Sequence, residues 1–87
     1  MDTEHKFLEA KRNYLKLKAE YDKTFERVKE ANGEVNNLLE QGKISDVEWS
    51  ERTVDNEFKL GLDDIHRRLF DAEKELIEAG KTLLEGR

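Results

Sequence analysis

Asp63 and His66 stand three residues apart, a spacing that puts two side chains on the same face of a helix. A carboxylate and an imidazole so placed form the ligand pair of four-helix di-metal sites, where both point inward. In this chain the pair flanks an apolar seam instead of lying in it. The acid is also Asp where such sites use Glu, and no inward carboxylate accompanies it near Tyr21 and Thr24. A solvated acid beside a boundary histidine is the simpler reading. His5 sits in the first turn of a helix, and two histidines without a cysteine cannot close a zinc site on their own. No metal or other cofactor is expected.

Lys11, Arg12, Lys16 and Lys18 surround Tyr14 and Leu15 with no acid between them. Such a patch can hold the phosphates of RNA or DNA, and a small nucleic-acid-binding helical dimer is the alternative function. Glu20, Asp22 and Glu73 are placed to neutralise part of the patch. The net charge of −5 also makes nucleic acid an unlooked-for partner. The nucleophiles are sparse. Cysteine is absent, Ser45 and Ser50 have no histidine near them in sequence, and no Gly-rich phosphate loop occurs. The expectation is a protein that is not an enzyme.

These residues are carried by a strongly patterned chain. Phe7, Tyr14, Tyr21, Val28 and Val35 recur every seven residues, and Ala10, Leu17, Thr24, Ala31 and Leu38 follow each by three. Apolar residues at this 3–4 spacing make one narrow stripe on a helix, and a stripe of that kind needs a partner helix. Charged residues make up 43% of the 87 and proline is absent, which fits long helices. With no disulfide available, long helix packing and self-association are the remaining routes to stability for one domain spanning 1–87. No apolar run approaches the ~20 residues of a membrane span. Met1-Asp2-Thr3-Glu4 is acidic and leads into no apolar segment, so neither a membrane nor a secretory signal is expected, and the expected location is cytoplasmic.

The pattern breaks once. Gly42 suits the left-handed position that ends a helix, and Ser45 followed by Glu48 forms a capping box flanked by Ile44 and Trp49. This predicts helix one over about 4–41, a turn over 42–45, and helix two over about 46–85. Gly61 and Gly80 are soft points in the second helix. Its seam is Phe58, Leu62, Ile65, Leu69, Ala72, Leu76, Ala79 and Leu83. Upstream of Phe58 it falters at Glu51 and Asp55, where Val47 and Val54 are expected to take over. A turn this short makes the helices antiparallel neighbours. The fold class expected is therefore all-α, an antiparallel two-helix coiled-coil hairpin on the order of 55–60 Å long at ~1.5 Å per residue. Facing positions should add up to about 87, with Phe7 opposite Ala79, Val28 beside Phe58 and Phe25 beside Leu62. In that register Glu20 falls near Arg68, and Lys11 and Lys18 near Glu73. Trp49 either anchors a partner or closes the end of the hairpin on Leu38, Leu39 and Ile44.

A second stripe stays outside the seam. Leu8 and Leu15 share one outer heptad position with Phe70, Ile77 and Leu84, and Phe25 flanks the same side. The opposite side carries Glu9, Lys16, Lys23, Glu30, Asp64, Asp71, Glu78 and Glu85. A contiguous apolar face on a small protein marks an association site. Two hairpins joined through it would form a homodimeric four-helix bundle; a helical protein partner would serve equally. The alternative is that helix two breaks near Gly61 and a third segment covers the stripe within the chain.

Across the turn, Leu39-x-x-Gly42-x-Ile44-Ser45-x-x-Glu48-Trp49-x-x-Arg52 resembles the short helix–turn–helix element called SHOCT. That element has a Leu-rich helix, Gly, a branched apolar residue, Ser or Thr, then Glu-Phe and a basic residue. The resemblance covers 14 of the 87 residues. Trp49 stands in place of the usual Phe, and both helices are far longer here. The resemblance implies a role in oligomerisation.

Overall fold

The computed structural model describes residues 2–86; Met1 and Arg87, the ends of the expected domain, lie outside them. Three helices follow one another: α1 (Asp2–Glu40), α2 (Asp46–Lys59) and α3 (Leu62–Glu85). The described residues contain no strand. α2 and then α3 run back along α1, giving a rod of 62 × 18 × 17 Å.

The turn after α1 is built as its residues require. Gly42 has φ 71°, a backbone that glycine adopts without penalty. Its N–H donates to the Leu39 carbonyl (3.0 Å) and the Lys43 N–H to the Leu38 carbonyl (2.9 Å), the paired bonds of a Schellman ending. Ser45 then caps α2, its hydroxyl oxygen accepting the Glu48 N–H at 3.1 Å. The Glu48 carboxylate pairs with Arg52 (3.8 Å), so the hydroxyl is the half of the capping box that the structure contains.

Contacts along the rod fix the register. Asn36 meets Trp49, Asn32 meets Asn56, Tyr21 meets His66 and Phe7 lies over Gly80. The residue numbers in these pairs add up to between 85 and 88. All ten heptad residues of α1 are at least half-buried, and Leu17, Val28 and Val35 are buried. From α3, Ile65, Leu69 and Ala72 are buried, and Leu62, Leu76, Ala79 and Leu83 are half-buried. Leu17, Ile65, Leu69 and Ala72 form the core cluster, with Tyr14, Tyr21 and Leu62 packed on it. Thr24, the polar member of the stripe, donates its hydroxyl to the Glu20 carbonyl of its own helix (2.9 Å).

The expected second helix is two helices. Leu60 caps α2 and Gly61 takes φ 79°, ψ 23°, so the chain turns before α3 begins. The Leu60 N–H reaches the Asn56 carbonyl (3.0 Å) and the Gly61 N–H the Phe58 carbonyl (3.2 Å). The Gly61 carbonyl in turn accepts the Ile65 N–H (3.0 Å). Gly61 thus ends one helix and starts the next. The break also changes which face of α2 meets α1. Run backwards as one helix, α3 would present Phe58, Asp55 and Glu51. The half-buried side instead carries Trp49, Thr53, Asn56 and the edge residue Glu57. That is a shift of two residues, or about 200° of helix rotation, which turns the opposite face of α2 to α1. Phe58 therefore does not join the seam beside Val28; it is 75% exposed, and Val47 and Val54 do not take over the seam but face outward with it.

Magnitudes explain this choice. Burying Phe58 would contribute about 1.5–3 kcal/mol. The same rotation would press Glu51 and Asp55 onto the Val28–Val35 stretch, and desolvating a carboxylate costs several kcal/mol apiece. The observed phase brings hydrogen-bonding groups inward instead. Asn56 donates to the Asn32 side-chain oxygen (3.1 Å), and the Trp49 indole N–H donates to that of Asn36 (2.6 Å).

Candidate functional site

α1 and α3 each bring large apolar side chains to one side of the rod. Leu8, Leu15 and Phe25 come from α1; Phe70, Ile77 and Leu84 come from α3. Every one is exposed, between 47% and 71%. The chain does break near Gly61, but the segment beyond the break continues along the seam and leaves this row open. In the register of the rod the six residues interleave as Leu84, Leu8, Ile77, Leu15, Phe70 and Phe25. They extend over roughly 33 Å at 1.5 Å per residue.

The middle of this face is aromatic and lightly charged. Tyr21 stacks on Phe25 with ring centres 6.2 Å apart, and the His66 ring lies 5.7 Å from Tyr21, tilted by 42°. The Lys18 ammonium stands 5.4 Å from the Tyr21 ring centre, and that of Lys74 stands 5.0 Å from Phe70. Both are within cation–π range. Phe25 lies along its own helix against Tyr21 and is 47% exposed.

The charges pair locally. Lys18 holds Asp22 at 3.1 Å, and this hydrogen bond, with the attraction of the same carboxylate, raises the lysine pKa above its ordinary value. Arg68 reaches Asp64 (3.9 Å), as does Arg67 (3.0 Å), while His5 pairs with Glu9 and Lys59 with Asp55. Each of these pairs lies within one helix. Glu20 and Arg68 line one hollow, as the register expects, but Arg68 pairs with Asp64 and Lys18 with Asp22, neighbours one turn away that cost less side-chain ordering. Exposed pairs of this kind contribute ~0–1 kcal/mol each.

The basic residues are placed on different sides of α1. Lys11 and Lys18 border the apolar face, Arg12 points away from the rod, and Lys16 lies on the opposite flank. Asp63 and His66 are both exposed. Among the described residues no three His, Cys, Asp or Glu side chains gather as metal ligands. No helix among them is long and apolar enough to cross a membrane.

One surface was not anticipated. Val47, Val54 and Phe58 form an outward apolar stripe on α2, a helix with no buried residue of its own. The signal for it was present: Glu51 and Asp55 at extrapolated seam positions mark a change of helix phase. Beside the stripe is a hollow of 490 Å³ lined by Ser50, Glu51, Val54, Asp55, Phe58 and Asp63.

Compared with protein-family models, with curated proteins and with solved structures, the chain matches none.

Proposed function

We propose that the protein is a non-catalytic protein–protein interaction module. In this reading α1 and the α2–α3 arm form an antiparallel coiled-coil hairpin, and two hairpins associate as a homodimeric four-helix bundle. It would serve as a small adaptor, regulator or structural protein. The observation that carries the reading is the exposed row Leu8, Leu15, Phe25, Phe70, Ile77 and Leu84, drawn from both long helices onto one side.

Area supports it. A compact monomer of this mass exposes about 5400 Å². This chain exposes 6762 Å². A standard interface removes roughly 600–1000 Å² per partner, so pairing through one long face would take away about half to two thirds of this excess. The geometry suits a C2 contact, because a single self-complementary face suffices. The likeness of residues 39–52 to the SHOCT turn points the same way.

The test is absolute mass by light scattering over a wide concentration range. The expected mass is near twice 10.3 kDa. Leu15→Asp with Ile77→Asp should return it to the single-chain value with the helix content retained. Arg12→Glu with Lys16→Glu, which lie off the apolar row, should leave the mass unchanged. A mass of one chain at every concentration, unaltered by the aspartates, would refute self-association.

A further inference from the structure

The outward face of α2 is a second apolar surface, and it lies in a different direction from the first. Val47, Val54 and Phe58 are 67%, 60% and 75% exposed and point away from α1, whereas the row around Leu15 and Ile77 lies along one flank of the rod. α2 is an amphipathic helix mounted with its polar side inward: Thr53, Asn56 and the Trp49 N–H face α1. Nothing in the fold covers the apolar side.

The hollow beside Val54 and Phe58 has a one-signed rim. Glu51, Asp55 and Asp63 line it, and no cation does. A second hollow of 330 Å³ continues from Phe58 and Asp63 past Gly61 to Asp64 and Arg67. The cations nearby are engaged: Lys59 holds Asp55 at 2.8 Å and Arg67 holds Asp64 at 3.0 Å. Among the described residues Glu51 and Asp63 have no ion-pair partner. An apolar floor between unpaired carboxylates is complementary to one kind of ligand, a helix with large apolar side chains on one face and lysines or arginines beside them.

We propose that the Val54–Phe58 groove, with Glu51 and Asp63 at its rim, docks a basic amphipathic helix of another protein. Phe58 supplies the apolar anchor. The carboxylates choose the charge of the partner and speed its approach, and added salt weakens that attraction. A second copy of this chain is the rival occupant, and the test separates it: docking of a copy here would make the mass depend on Phe58.

The experiment is an amide-resolved NMR titration of the full chain with three synthetic peptides of the length of α2, 14 residues. The first is helical with leucines on one face and lysines flanking them. The second has glutamate for every lysine, and the third has serine for every leucine. The first alone should saturate, moving the amides of Ser50, Val54, Phe58 and Asp63, and its affinity should fall as salt is added. Phe58→Ser, or Glu51→Lys with Asp63→Lys, should weaken it by about tenfold or more. Phe58→Ser should leave the light-scattering mass unchanged, which separates this result from the fate of the dimer reading. Equal binding of the second or third peptide, shifts confined to the Leu15 and Ile77 face, no saturable shift with any peptide, or a fall in mass with Phe58→Ser would each overturn the proposal.

Discussion

Gly61 offers the sharpest test of how this chain is built, because the structure separates its two possible roles. Its φ of 79° is left-handed, and a Cβ added there would meet nothing within 4 Å. The cost of Gly61→Ala is therefore conformational and not a clash. Placing an L-residue in this region costs about 1–2 kcal/mol. Reduced freedom of the unfolded chain returns about 0.4–1 kcal/mol of it. The net expectation is a loss of about 0.5–1 kcal/mol. Gly33 is the internal control. It too has open space where a Cβ would go, but it lies within α1 with an ordinary negative φ. Gly33→Ala should therefore stabilise by about 0.5–1 kcal/mol. The two variants should differ by about 1–2 kcal/mol, or about 4–16 °C in Tm for a domain of this size. Thermal unfolding followed by helix ellipticity reads this directly, at one protomer concentration because association would shift Tm. If Gly61→Ala stabilised the protein as much as Gly33→Ala, the left-handed turn would not exist in solution. α2 and α3 would then be one helix, and the outward placement of Phe58 would fall with it.

Two further expectations concern single contacts. Trp49→Phe keeps the ring and removes the indole N–H that donates to Asn36 at 2.6 Å, and should cost about 0.5–1.5 kcal/mol in urea unfolding; no loss would mean that the bond contributes nothing to docking α2. Lys18 is held in its charged form by Asp22 and its pKa is raised, so its share of stability is complete below the ordinary lysine value of 10.5 and is lost as pH rises through the higher folded value. Unfolding of wild type and Lys18→Met should therefore differ by the same small amount throughout pH 6–9 and converge only above the lysine range. Convergence near pH 7 would contradict the pairing.

Sequence periodicity carried most of this fold because periodicity is what burial acts on. All ten stripe residues of α1 turned inward, and so did the α3 seam from Leu62 to Leu83. The Gly42 turn and the Ser45 cap were legible for a different reason: each requires a specific residue type at one position. The outer row was legible too, since Leu8, Leu15, Phe70, Ile77 and Leu84 share a heptad position that a two-helix seam cannot reach. The orientation of α2 was not. A glycine inside a helical pattern is compatible with continuation, and only its left-handed φ shows that the heptad phase restarts there. The ion pairs were less legible for a related reason. A register says which charges come near one another, whereas pairing one turn away along the same helix orders less side chain.

The phase of α2 ties the two surfaces together. A long heptad helix with apolar residues at positions 51 and 55 would have buried Phe58 and closed the rod along its whole length. With carboxylates there, the chain keeps charge in water, lets Asn32, Asn36, Asn56 and Trp49 hold α2 in place, and leaves Val54 and Phe58 outside. Polar pairs of that kind contribute little net stability but fix register, as a single asparagine does in a coiled coil. The two ends of the rod therefore differ. The α1–α3 end has an apolar seam and an exposed apolar flank. At the α1–α2 end, α2 turns polar groups toward Val28 and Val35 and leaves an apolar outer face beside acidic side chains. Glu51 belongs to both halves of this arrangement: with Asp55 it keeps α2 from burying Phe58, and with Asp63 it lines the hollow beside that ring.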